Sequence, residues 1–245
     1  MYWLILIAVY IILTLISRKK QLKIESESVA ASNANNTSGN KSPNFPIFFG
    51  YKSSWLAVRT NDTQALLSEL NLIDVRQAEW ETGLECANQK EIFVTSPIGE
   101  WTLVIGTRLL EADNQAITER ITPLLLRLSR QFGEACYFGN QRIVGYYAWA
   151  KAVNGELIRA YAYLGESGET LWNEGIQTVE ETELGFHFFD SKSIDAQNPT
   201  YWEREDLSFP DEESVLAIAS RWSIDTSALG DERNPSGLGV LGQLQ

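Results

Sequence analysis

The chain has 245 residues, 44% hydrophobic and 11% aromatic, with 32 acidic against 20 basic side chains, a single histidine and two cysteines. A Ser-His-Asp or Cys-His arrangement would have to use His187, and a zinc site built from His and Cys has only three candidate ligands, so neither is expected and no metal or cofactor is assigned. A formal net charge of −12 also argues against nucleic acid as a partner, because a phosphate-tracking surface is basic.

The charge is unevenly spread. Residues 1–45 carry five basic side chains (Arg18, Lys19, Lys20, Lys23, Lys41) and two acidic ones (Glu25, Glu27), so the acidic balance belongs to the rest of the chain. From Tyr2 to Ile16 the run YWLILIAVYIILTLI has no charge, and Ser17 and Arg18-Lys19-Lys20 follow it. Spanning helices usually need ~20 apolar residues, so this shorter run predicts a single transmembrane helix over residues 1–20 whose basic flank snorkels to the interface. The lipid bilayer is then a partner through residues 2–17. A signal peptide is the competing reading, but its basic charge would precede the apolar run instead of following it. By the positive-inside rule Arg18, Lys19 and Lys20 stay in the cytoplasm, and the domain after them lies there too. Cys86 and Cys136 form no dense disulfide framework, which agrees with that side of the membrane, although two cysteines could still pair. Residues 21–46, rich in Ser, Asn and Ala, read as a flexible linker.

A globular domain is expected over residues 47–230. Trp55–Arg59 is the first strand, and Asn61 with Gln64 predicts a capped entry to a helix carrying Leu66, Leu67 and Leu70. The stretch around Trp80 has no clear pattern. Ile92–Thr95 and Trp101–Ile105 flank Ser96-Pro97-Ile98-Gly99, which predicts a hairpin with its tight turn on those four residues. Ile117, Ile121, Leu124, Leu125, Leu128 and Phe132 share one helical face that ends at Gly133. Pro123 leaves two readings: a helix beginning near Thr122, or an earlier helix kinked there. Ala135–Phe138 is the next strand. The resulting β-α-β-β-α-β order predicts a ferredoxin-like start within an α+β fold. An antiparallel meander follows: residues 143–153 and 156–164 joined by Asn154-Gly155, then Glu169–Trp172 after a turn at Gly165–Gly168. Thr178 with Glu181 resembles a capping box, and Pro210-Asp211 opens a helix with Val215, Leu216, Ile218, Ala219 and Trp222 inside. The Gly-rich end, residues 231–245, reads as a disordered tail.

Register across Asn154-Gly155 assigns the faces of the meander. A regular two-residue hairpin pairs Ala150 with Arg159, Ala148 with Tyr161 and Tyr146 with Tyr163, and a four-residue second turn sets Trp172 opposite Tyr161. Tyr146, Arg159, Tyr161, Tyr163 and Trp172 then share one face with small alanines. Such a trough would suit a sugar, a peptide or a protein side chain, with Arg159 able to pair a carboxylate while stacking on tyrosine. The competing reading makes these aromatics core and Arg159 its rim. His187, beside Phe186, Phe188 and Phe189, is more often packing than a general base. Glu166, Glu169 and Glu174 could supply a glycosidase carboxylate pair, but acidic turns are usually solvated. Asp225 and Asp231 lack calcium-loop spacing, and Gly165–Gly168 lacks the Lys-Ser/Thr of a phosphate loop.

Trp55-Leu56-Ala57-Val58-Arg59, Gly99-Glu100-Trp101-Thr102-Leu103-Val104-Ile105-Gly106, Phe132-Gly133-Glu134 and Arg159-Ala160-Tyr161-Ala162-Tyr163-Leu164-Gly165-Glu166 together resemble a family of uncharacterised bacterial proteins. The resemblance spans roughly residues 50 to 229 and implies a bacterial source. It carries no activity, so it assigns no catalytic residue. The expectation is a membrane-tethered, non-enzymatic binding domain for a protein partner, an immunity-type protein being one form. The alternatives are a carbohydrate binder or carboxylate-based hydrolase, and a structural membrane protein without a ligand.

Overall fold

The computed structural model describes residues 44–109, 120–230 and 237–244. The expected transmembrane helix, its flank Arg18, Lys19 and Lys20, and the linker through residue 43 lie outside these, as does Ile117. Among the described residues no helix is long and apolar enough to cross a membrane. The described part of the compact unit begins at Asn44, earlier than the expected residue 47. Asn44 ties the supposed linker into it, because its side-chain carbonyl accepts from Trp80 N at 2.9 Å and its amide donates to the Gly237 carbonyl at 2.8 Å.

The fold is α+β. Nine strands form one sheet: β1 (Ser53–Val58), β2 (Leu72–Ala78), β3 (Ile92–Val94), β4 (Thr102–Ile105), β5 (Glu134–Gln141), β6 (Tyr146–Val153), β7 (Glu156–Leu164), β8 (Glu169–Glu174) and β9 (Gly239–Leu244). Their order is β2-β9-β3-β4-β1-β5-β6-β7-β8, and each neighbouring pair is antiparallel. The helices are α1 (Thr63–Leu70), α2 (Trp80–Ala87), α3 (Thr122–Phe132), α4 (Val179–Glu183) and α5 (Glu212–Trp222). The four strands expected at the start, β1, β3, β4 and β5, lie side by side as β3-β4-β1-β5. The chain inserts β2 and α2 between α1 and β3, in the stretch without a clear pattern. As an edge strand β2 is mostly exposed, and a register shift between Ile73 and Arg76, with Asp74 at φ 54°, breaks its alternation.

Alternation along β1 divides the core. Leu56 and Val58 face α1 and α3, where Leu66, Leu125 and Leu128 are fully buried, each such leucine contributing ~1.5–3 kcal/mol relative to exposure. Trp55 and Ala57 face the opposite layer, with Trp80 of α2 and Val215, Ile218 and Trp222 of α5. Helix α3 begins at Thr122 with Pro123 in its first turn, the first of the two readings, and ends at Gly133 with φ 88°. Helix α1 is capped by Asp62, whose carboxylate accepts from Ala65 N at 2.9 Å, and not by Asn61. The β3–β4 hairpin turns at Ile98–Trp101, two residues later than expected. Ile98 and Trp101 exchange both backbone hydrogen bonds, and Gly99 with φ 60° takes the first central position, so Pro97 stands outside the turn.

Two further expectations are corrected. The tail is not disordered from Gly237 to Leu244, since β9 runs between β2 and β3 with Leu241 fully buried. Its weak pattern in sequence, Gly-Val-Leu-Gly-Gln-Leu, has a packing reason: Gly239 lies against the Phe93 ring and only 2.6 Å separates an added Cβ from the Val94 carbonyl oxygen. The second correction is the register of the meander. Asn154 and Gly155 both take positive φ, as the two-residue turn requires, but Ile158 bulges out of the ladder, so Arg159 pairs with Lys151, Tyr161 with Trp149 and Tyr163 with Tyr147. A second bulge at Leu171 sets Trp172 opposite Ala162 instead of Tyr161.

Candidate functional site

The two bulges divide the five residues expected to share one trough. Tyr146 and Trp172 belong to the α1/α3 layer, among Ala148, Ala150 and Ala162. Tyr161 and Tyr163 lie in the opposite layer with Trp149 and Phe186. All five side chains are buried, Arg159 at 7% exposure among them. Tyr146 hydroxyl sits 3.2 Å from that of Tyr137 inside the core, and Tyr163 packs on Phe209 with ring centroids 5.3 Å apart. Burial drives the Tyr161 phenol above its ordinary value, and its hydroxyl donates to the Phe189 carbonyl at 3.3 Å.

Arg159 becomes the centre of a site because the bulge turns it toward α4. Gly175, at φ 77°, closes the end of β8 over the bulge, and any Cβ there would collide with the Ile158 carbonyl oxygen. Three residues on, Thr178 caps α4. Its hydroxyl accepts from Glu181 N at 3.2 Å, while Glu181 Oε2 accepts from Thr178 N at 2.8 Å. The capping carboxylate has a second use. Arg159 Nε donates to Glu181 Oε1 at 3.0 Å and Oε2 at 3.1 Å, and Trp149 Nε1 donates to Oε1 at 2.9 Å. The pair is almost wholly removed from water, with side-chain exposures of 8% for Arg159 and 1% for Glu181.

The guanidinium is held from its other end too. Nη1 donates to Asn173 Oδ1 at 2.7 Å, to the Ala160 carbonyl at 2.9 Å and to the Glu174 carbonyl at 3.1 Å. Its centre stands 5.8 Å from the Tyr161 ring centroid, so the expected stacking partner is retained. Nη2 has no acceptor among the described residues. Arg159 lines a recess of about 260 Å³ with Tyr161, Asn173, Gln177, His187 and Phe188. Nη2 is not one of the buried unpartnered nitrogens, so it opens to water in the recess, and an acceptor on a ligand would take the place of that water.

The weaker candidates are now placed. His187 is exposed at the rim of the recess, and its imidazole has no hydrogen-bond partner among the described residues to orient it as a base. Glu169 and Glu174 stand at opposite ends of β8, five residues and so ~16 Å apart along the strand, beyond the ~5–9.5 Å of glycosidase carboxylate pairs. Glu166 is exposed in the turn before them. Asp225 caps a short turn through Ser227 N and Ala228 N, and Asp231 lies outside the described residues. Among the described residues no group of three or more His, Cys, Asp or Glu could hold a metal ion, and both Cys86 and Cys136 are free thiols.

Sequence reasoning named Arg159 and Tyr161, which line the recess, but not Glu181, Asn173 and Gln177, which line it with them. The capping-box pattern marked Glu181 as fixed in space, yet nothing in sequence ties it to an arginine 22 residues earlier. Fold and site together define an α+β domain with a rigid, charge-compensated arginine at the floor of a surface recess. No protein-family model matches the chain, and no curated protein or solved structure matches it.

Proposed function

We propose that this chain is a membrane-tethered, non-enzymatic binding domain whose recognition element is the recess over Arg159. The observation that carries the reading is the free Nη2 of a guanidinium that four separate side chains and carbonyls hold in place. A donor fixed before its ligand arrives loses little freedom on binding, which is how a small site gains affinity. Residues 2–17 serve as the anchor, with Arg18, Lys19 and Lys20 on the cytoplasmic side. The segment β1-α1-β3-β4-α3-β5 acts as a ferredoxin-like scaffold, a reading supported by the strand order β3-β4-β1-β5. Capture of a basic protein by the acidic domain is the immunity-type form of the same function.

The test is capture from native membranes. Full-length protein and a Leu207→Trp variant, which fills the recess from its half-buried rim, are crosslinked mildly and compared with an anchor-only control. The variant is expected to lose the molecule that the wild type retains. Equal recovery by both would remove the recess from the function.

A further inference from the structure

We propose that the recess takes a neutral polyhydroxylated ring of single-pyranose size, in preference to an anion; this rests on the binding function assigned to the recess above. The first argument is charge. An arginine in a pocket ordinarily invites a carboxylate or phosphate, but the charge of Arg159 is already offset by Glu181 at 3.0 Å, and both side chains are nearly dry. Asp190 stands behind Asn173, its Oδ2 accepting from Asn173 Nδ2 at 2.8 Å. A second anion would share one guanidinium with Glu181 and meet its repulsion at close range, in a domain that is acidic as a whole. A neutral hydroxyl accepts from Nη2 without that repulsion.

The second argument is the inventory of hydrogen-bonding groups left over. Arg159 Nη2 offers two N–H groups. Asn173 gives one amide hydrogen to Asp190 and keeps the other, while its carbonyl is taken by Arg159. Gln177, which lines the same opening, donates through Nε2 to the Phe186 carbonyl, which leaves its Oε1 as a spare acceptor. His187 adds one donor and one acceptor when neutral. The spare capacity is therefore mixed. A carboxylate only accepts and would leave Gln177 unmatched, a phosphate that can still donate brings a second negative charge beside Glu181, an ammonium only donates and would leave Arg159 unmatched, and vicinal hydroxyls do both without charge.

Shape supplies the third argument. About 260 Å³ is the room of roughly nine water molecules, below the ~300–1,000 Å³ of pockets for larger ligands, so a single ring is the natural occupant. Phe188, half-buried, and Leu207 give the opening an apolar side on which the C–H face of such a ring can rest. The ring can come from a free sugar or from the end of a glycan chain, and the chemistry at the recess is the same.

The experiment is saturation-transfer NMR on the full-length chain in a zwitterionic detergent, since maltoside detergents carry the proposed ligand class. The probes are the methyl pyranosides of glucose, galactose, mannose and N-acetylglucosamine, with acetate, galacturonate and methyl phosphate as anionic arms and a maltose series as the chain-end arm. At least one neutral pyranoside is expected to show transfer, together with a shift of the Trp149 indole N–H, which shares Glu181 Oε1 with Arg159. Gln177→Ala should weaken it ~5- to 10-fold through one lost hydrogen bond, Leu207→Trp should abolish it, and Gln64→Ala, in the groove beside β2, should leave it unchanged. Silence from every neutral probe, transfer from the anions alone, or transfer that survives Leu207→Trp would each overturn the proposal. If the neutral probes are silent while Leu207→Trp still abolishes membrane capture, the ligand class is wrong and the binding function stands. If capture also survives Leu207→Trp, both fall.

Discussion

Glu181 shows how one side chain can be read correctly and still be underestimated. As a capping-box residue it is worth about 1 kcal/mol to a five-residue helix, but as the counterion of Arg159 it compensates a charge held out of water. Glu181→Ala would leave the guanidinium buried and unpaired, so we expect a loss of ~3–5 kcal/mol in urea unfolding. A loss under ~1 kcal/mol would mean that water reaches the pair freely. Gly175 is a second single-residue test. An alanine there must adopt φ 77° and press against the Ile158 carbonyl, and a destabilisation of ~2 kcal/mol or more is expected. Tolerance of Gly175→Ala would show that β8 does not close on the bulge.

Elements decide what residues can do. Ile158 and Leu171 each add one unpaired residue to a strand, and each addition reverses which face the following side chains reach. A regular hairpin would have joined Tyr161 to Tyr146 and Trp172; the bulged one joins it to Trp149 and sends Arg159 to α4. Turn chemistry at Asn154-Gly155 was legible in sequence, whereas a bulge is decided by what packs on it, here Gly175. Strand β9 makes the same point over a longer distance. It pairs β2 on one side and β3 on the other, so truncation after Gly230 should strip partners from both and expose Leu241's site. Loss of cooperative thermal unfolding, or of amide protection along β3 by hydrogen exchange, is the expected outcome. Unchanged protection in β3 would mean that β9 only decorates the sheet.

Over the whole molecule, burial sets a pH limit. The phenols of Tyr137 and Tyr161 and the thiol of Cys136 are all raised by desolvation, because ionising any of them places a charge in the core. Groups with raised values in the folded state stabilise it fully below their unfolded values, 9.0 for the thiol and 10.0 for the phenols, and that stabilisation is lost as pH rises above them. The urea midpoint should therefore hold level up to about pH 9 and fall beyond it, with the tyrosinate signal of Tyr137 and Tyr161 appearing only as the protein unfolds. Tyrosinate signal from all nine tyrosines at pH 10 in folded protein would contradict the burial of Tyr137 and Tyr161.

The sequence by itself determined the α+β class, the helices α1, α3 and α5, the tight turn at Asn154-Gly155 and the cap of α4, because each depends on residues within a few positions of one another. Tertiary structure alone decided the remainder. Strand β2 is too exposed to show alternation, β9 is too rich in glycine to look ordered, and the pairing of Arg159 with Glu181 joins residues whose meeting depends on a bulge and a glycine contact. Local chemistry is written in neighbouring residues. A binding recess assembled from β7, β8 and the α4 region comes into being only when the chain has packed, since packing fixes the arginine through Nε and Nη1 and leaves Nη2 facing the recess.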